Sequence, residues 1–263
     1  MLLLFLLGLA VGSFLNVVAL RYHAGGPARI ASQSVAGGRL FTPDIVGGRS
    51  HCPYCDKTLR WYELIPFFSF VLQLGRCRHC RHTLSWQYPI VELLTGFALV
   101  GVALYAVPAV IWGFAVLALI LIALIDLRLS IIPDQLNWFL VLLGLALIVY
   151  RGVGDFAVWQ EGLIGLVFGI ALFGAVILLS RGKGMGLGDL KMAGALGFLF
   201  GWPKIVLAAM ASFIIGAFWA LPLIALGKKR LKETIPFGPF LAAGAFLALF
   251  FGEVILRTYL SGL

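Results

Sequence analysis

An all-α polytopic membrane protein is predicted, with about eight transmembrane helices and one cytoplasmic zinc-knuckle loop between the first and second. Three observations carry this. Hydrophobic residues make up 62% of the 263 and charged residues 12%, with a mean hydropathy of +1.04, which is more apolar than a water-soluble domain can be. Apolar runs near the roughly 20 residues needed to cross a bilayer recur along the chain. Four cysteines fall as two C-x2-C pairs inside residues 21–86, the only long non-membrane stretch.

The first apolar window, about residues 2–20, lacks a basic n-region, and Arg21 follows where a cleavage site would need small residues. It is expected to be a retained helix rather than a signal peptide. Gly12, Ser13 and Asn16 suit a close helix contact with one interhelical hydrogen bond, and holding substrate is the second reading of Asn16. Residues 24–50 are rich in Gly, Ala and Ser and show little apolar periodicity.

Cys52-Pro-Tyr-Cys55 and Cys77-Arg-His-Cys80 follow, separated by twenty-one residues. Four thiolates complete a tetrahedral zinc shell and leave no open position, so the predicted site is structural. Disulfides, the competing reading, would not persist on the reducing side of the membrane. The flanking His51, His79 and His82 are expected at the surface. Zinc would supply ordering free energy that this loop's composition does not. Glu63 and Glu92 each read equally as a solvated or capping carboxylate or as a ligand contact.

The remaining windows lie at about 87–107, 109–127, 135–150, 162–180, 187–201, 204–226 and 237–256, and the one at 187–201 is short and Gly-rich. The predicted organisation is a first helix (1–20), a loop domain (21–86) and a seven-helix membrane domain (87–263). If the long loop is cytoplasmic, seventeen of twenty Lys and Arg share its side, leaving Arg151, Lys204 and Arg257 opposite. The positive-inside rule then puts both termini outside.

Asp126 closes the run Leu121-Ile122-Ala123-Leu124-Ile125, and Asp189 closes Gly186-Leu187-Gly188. Ionisable groups at membrane depth are costly and point to function. On the third and sixth windows, both fall near the loop-side face. Two such carboxyls brought together share one proton, which is the acid and base pair of an aspartic protease. Gly186 and Gly188 would let a substrate backbone approach; tight helix packing is the plain alternative. Asp134, after Ile132-Pro133, reads as an N-cap, with catalysis as its second reading. Lys191 could tune Asp189, neutralise a substrate carboxylate, or snorkel. No phosphate-binding loop is present, and no nucleic-acid partner is expected; membrane lipid is an expected partner of the basic face, and the loop acids Asp44, Asp56 and Glu63 are the alternative contacts for a basic substrate. An ion-coupled transporter using paired aspartates is the alternative function, although no inverted repeat is visible.

Ordered blocks along nearly the whole chain resemble the type IV prepilin peptidase family of leader peptidases and N-methyltransferases. These are Gly12-Ser-Phe-Leu-Asn16, Cys52-Pro-x-Cys55, Trp61-x-Glu63-Leu-Ile-Pro66, Gly75-Arg-Cys-x-x-Cys80, Tyr88-Pro-x-Val-Glu92, Asp126 with Pro133-Asp134, Gly186-x-Gly188-Asp189-x-Lys191 and Pro236-Phe-Gly-Pro239. The resemblance implies a bacterial inner-membrane enzyme with Asp126 and Asp189 catalytic. Its substrates would be type IV prepilins or type II secretion pseudopilins, cut on the cytoplasmic side after a leader glycine. It also implies methylation of the new N-terminus from S-adenosylmethionine. The chain departs from the family in having Arg21-Tyr22-His23 where Arg-x-Pro is usual. No donor fingerprint occurs in the loop, so no donor-binding residues are assigned.

Overall fold

The computed structural model describes residues 1–22, 47–52, 54–182, 184–225 and 235–261. Most of the Gly/Ala/Ser-rich stretch 24–50 and the basic residues Lys183, Lys228, Lys229, Arg230 and Lys232 therefore lie outside the described residues. The helices are α1 (Leu2–Arg21), α2 (Phe68–Leu72), α3 (Gln87–Tyr105), α4 (Ala109–Leu129), α5 (Asp134–Gly152), α6 (Phe156–Leu179), α7 (Leu187–Phe200), α8 (Lys204–Ala225) and α9 (Gly238–Ser261). A 3-10 turn, Trp61–Leu64, precedes α2.

Among the described residues, seven helices are long and apolar enough to cross a membrane. The eighth apolar helix, α7, has 14 residues and so spans about 21 Å, short of the roughly 30 Å hydrocarbon layer. Every residue from Met192 to Phe200 is buried. A helix buried all round is enclosed by protein rather than lipid. The other enclosed element is α4, where Ala118 to Ile122 and Leu124 to Asp126 are all buried. Asp126 and Asp189 thus sit on the two most enclosed helices.

Small residues set the helix contacts, since apolar side chains gain little by leaving lipid for one another. Gly165 and Gly169 of α6 face Gly197 and Ala193 of α7 so closely that a Cβ at either glycine of α6 would collide with backbone of α7. Gly244 of α9 meets Ser212 and Ala208 of α8 in the same way. On α1, a Cβ at Gly8 would lie 2.6 Å from the Gly96 Cα of α3, and one at Gly12 would lie 2.9 Å from the Glu92 Cα. Asn16 supplies the expected interhelical hydrogen bonding, donating to the Tyr88 carbonyl (3.4 Å) and accepting from Gln87 Nε2 (3.3 Å).

One end of the bundle gathers the chemistry. The C-terminal ends of α1 and α4 meet there, Arg128 donating to the carbonyls of Ala19 and Leu20. The N-terminal ends of α3, α5, α7 and α9 join them, and the cysteine loop packs on this end through Phe67, whose N–H donates to Glu92 Oε2 (2.7 Å). At the opposite end Arg151 pairs with Glu161 (2.9 Å).

The loop uses one local arrangement twice, with its first cysteines at positions 52 and 77. Cys52 N–H donates to the Lys57 carbonyl (3.0 Å) and Cys77 N–H to that of His82 (2.9 Å). Bridges from His51 to Thr58 and from Arg76 to Thr83 close the two knuckles. Each knuckle has a left-handed residue just after its second cysteine, Asp56 (φ 53°) and Arg81 (φ 55°). Neither is glycine, so the surrounding bonds must hold a conformation L-residues seldom adopt.

Candidate active site

Asp126 lies in the last turn of α4. That helix stops at Ser130 in a left-handed conformation (φ 54°), whose N–H donates to the Asp126 carbonyl (2.8 Å). Asp189 lies in the first turn of α7, where it caps its own helix: the Gly186 N–H donates to Asp189 Oδ2 (3.1 Å). Asp126 Oδ2 accepts in the same fashion from the Gly238 N–H (2.9 Å), the first residue of α9. Each carboxylate is therefore pinned through one oxygen by a glycine N–H at a helix N-terminus, an environment that favours anionic groups. Both residues are buried, at 4% and 9% exposed.

Gly238 contacts the aspartate site, a role that its sequence context alone does not assign. A Cβ there would lie 2.7 Å from Asp126 Oδ2, so only glycine fits while the bond is made. Its sequence signal is Gly238-Pro239 opening an apolar helix, where proline at the first turn fixes the start. Gly188 serves packing, since a Cβ on it would reach the Ile132 Cβ at 3.2 Å.

The expected cap at Asp134 is not found. Pro133 is the N-cap of α5 and no side-chain cap bond forms there. Asp134 is instead the first helical residue, and both its oxygens take the Lys191 ammonium at 2.9 Å. Lys191 thereby ties the start of α5 to the turn of α7 that carries Asp189. Asn137, within the first turn of α5, is buried with neither amide atom bonded. Hydropathy windows miss it, although an amide in an apolar helix is a visible signal.

The four cysteine sulfurs converge, all within 4.8 Å of one another, and Cys52 Sγ lies 3.8 Å from Cys80 Sγ. Zn–S bonds of about 2.3 Å in a tetrahedron need sulfurs about 3.8 Å apart, so the cluster is compatible with structural zinc. Backbone N–H groups of Cys80 and His79 pull the Cys77 thiol down to about 7. Cys80 receives a similar bond from the backbone at His82, yet burial and its three thiol neighbours push it up to about 11. Thiols so placed hold a full set of negative charges only around a cation. His51, His79 and His82 are exposed, as expected.

Residues 6–106 match the bacterial peptidase A24 N-terminal domain and residues 113–221 the type IV leader peptidase family. The prepilin leader peptidase/N-methyltransferase of Aeromonas hydrophila is 37% identical, covering 98% of this chain and 93% of the relative. The chain belongs to the type IV leader peptidase family. Proteins of the same name from Bacillus subtilis (34% identical, 98% of this chain, 96% of the relative) and Pseudomonas aeruginosa (34%, 97% and 91%) are similar along their length. No solved structure gives a significant match. Both aspartates fall inside the leader peptidase match and all four cysteines inside the N-terminal one. The family and the seven apolar helices together make this a multi-pass inner-membrane protein.

A cavity of about 390 Å³ opens between the ends of α1 and α3 and the cysteine loop. Neither aspartate lines it. Glu63 and Glu92 do, and both are buried rather than solvated. Glu92 is held by Ser13 and by Phe67 N–H. Glu63 is the cap the sequence allowed, its Oε2 accepting from Arg60 N–H (2.8 Å), while its Oε1 has no partner.

Proposed function

We propose that this protein is a membrane aspartic endopeptidase. It removes the leader of type IV prepilins or type II secretion pseudopilins after a glycine, on the cytoplasmic side, and then methylates the new N-terminus from S-adenosylmethionine. The observation that carries the reading is the pair of buried carboxylates, Asp126 and Asp189, each held through Oδ2 by a backbone N–H. The names of the relatives supply the substrate class and the second activity. Nothing in those relatives favours a transporter.

In the mechanism, one proton is shared by the pair and a water is held between the free oxygens. The ionised carboxylate takes a proton from the water as the water's oxygen adds to the carbonyl carbon of the leader glycine. The protonated partner gives its proton to the carbonyl oxygen. Collapse then breaks the C–N bond: the leaving amine takes the proton gained from the water, and a hydroxyl of the tetrahedral diol returns its proton to the partner as the acid forms, so the pair again carries one. No acyl-enzyme forms. For the second activity S-adenosylmethionine, when bound, would supply the methyl group to the new N-terminal amine. The amine reacts as the free base, having lost a proton to solvent.

Zinc held by Cys52, Cys55, Cys77 and Cys80 would fold the loop rather than react. Seventeen of twenty cationic residues assigned to the cysteine-loop end support placing that end in the cytoplasm and both termini outside. Anionic lipid at that surface would hold both the basic enzyme and a basic leader.

Co-expression with a tagged prepilin, read by intact mass, tests this. Wild type removes the leader and adds the mass of one methylene, whereas Asp126→Asn and Asp189→Asn leave the leader on. Cleavage surviving either substitution would overturn the assignment of the pair. Because one proton must be present on it, the cleavage rate falls on both sides of a pH optimum.

A further inference from the structure

We propose that the cysteine loop is moored to the bilayer by residues 64–75, whose apolar side chains enter the lipid leaflet at the end of the bundle where both aspartates lie. From Leu64 to Gly75 the chain holds twelve residues with no charged side chain, bounded by Glu63 and Arg76. An apolar run of about 10–14 residues is too short to span, and it belongs either to a buried core helix or to a segment at the membrane interface. The first is excluded, because no residue of α2 is buried. Leu64, Ile65, Phe68, Val71, Leu72 and Leu74 are all exposed, Leu72 at 80% and Leu74 at 86%. Surfaces that face water rarely gather so many large apolar side chains in one short segment.

Two contacts set this surface beside lipid. Phe67 N–H donates to Glu92 Oε2, and Glu92 lies five residues inside α3, about 7 Å along its axis. Glu92 also faces Gly12 of α1, nine residues before that helix ends. Phe67 is therefore tied within the length of two helices that cross the membrane, not above them. Phe70 then packs on Trp86, the N-cap of α3, with ring centroids 5.2 Å apart. From Trp86 the exposed residues Ile90, Leu94 and Phe97 follow at spacings of four, four and three, which is one face of a helix. Since α3 crosses the membrane, that stripe meets lipid, and the exposed surface of residues 64–75 joins it at Trp86.

The backbone and the flanks suit the same surroundings. Main-chain groups at membrane depth must find partners within the protein. The N–H groups of Phe67, Ser69, Val71, Gln73, Leu74 and Gly75 all donate to protein oxygens. Exposed tryptophans, Trp61 and Trp86, stand at the two sides of the run, and this residue type is enriched where lipid meets water. Arg60, Arg76, Arg78 and Arg81, all exposed, flank it with charge that anionic head groups complement. An element of this kind sinks about 5–10 Å into the boundary of head groups and acyl chains. It would fix the height of the cysteine loop over the bilayer, and so over the end of the bundle that carries Asp126 and Asp189.

The test is photo-cross-linking of the full chain, its zinc content verified, in nanodiscs of phosphatidylethanolamine and phosphatidylglycerol. p-Benzoylphenylalanine takes the place, one position at a time, of Leu72, Leu74, Ile90 on the α3 stripe and Tyr54 on the first knuckle. Intact mass after irradiation reads the lipid adducts. The yield at Leu72 and Leu74 should match that at Ile90 and exceed that at Tyr54 several-fold. A yield at Leu72 and Leu74 no greater than at Tyr54 would overturn the proposal. So would cross-linking of these two positions to a second copy of the chain, or to added prepilin, in place of lipid. Neither cleavage nor methylation is read, so the outcome is independent of the peptidase assignment.

Discussion

Single backbone N–H groups on carboxylate oxygens are the residue-level contacts on which the aspartate site depends. Gly238 donates to Asp126 with no room for a Cβ, so Gly238→Ala must displace either the carboxylate or the start of α9. A misplacement of about 1 Å in a catalytic group can cost on the order of a hundredfold in rate. Prepilin cleavage by Gly238→Ala should fall by about that factor while the helical circular dichroism stays that of wild type. Asn137 gives the opposite kind of expectation. Its amide is buried without a bond, so Asn137→Leu, which is similar in size, removes a desolvation cost of about 1–3 kcal/mol. The thermal midpoint in detergent should rise. A lower midpoint would mean that the amide has a partner in the working protein. In the sequence Asn137 shows as a polar type inside an apolar helix and Gly238 as a Gly-Pro helix start, but the neighbours of neither are visible there.

Among the elements, α7 depends most on its surroundings. It is too short to span by itself and carries Asp189 in its first turn, so its position comes from contact with α6 and α5. A Cβ at Gly197 would strike the Gly165 carbonyl of α6. Overpacking of this kind typically costs about 1–3 kcal/mol. Gly197→Ala should therefore lower the thermal midpoint and, by shifting α7, slow cleavage as well. The Lys191 to Asp134 bridge is half exposed and stabilises little, in the range of about 0–1 kcal/mol. Lys191→Met should leave the midpoint nearly unchanged. Any effect it has on cleavage then reports the position of the α7 turn.

Across the whole molecule, the loop and the bundle are stabilised by different means. The bundle is held by small-residue helix contacts, and the loop by two repeated knuckles whose four sulfurs converge. Removing zinc with a chelator, or making Cys77→Ser, should open residues 47–86 to limited proteolysis while the bundle keeps its helical signal. Loss of the helical signal would show instead that the loop staples the bundle.

Membrane class, approximate helix windows, the two aspartates and the two cysteine pairs are all legible in the chain before any folding. Each is a local property: hydropathy over about 20 residues, a charge in an apolar run, a C-x2-C spacing. What holds the aspartates, where Asp134 and Lys191 point, and the meeting of Glu63 and Glu92 at one cavity emerge only on folding. The bond from Gly238 to Asp126 joins residues 112 apart, and that from Lys191 to Asp134 joins residues 57 apart. Local periodicity carries no information across such separations, because which helix ends meet is set by the packing of small residues between helices rather than by either helix alone.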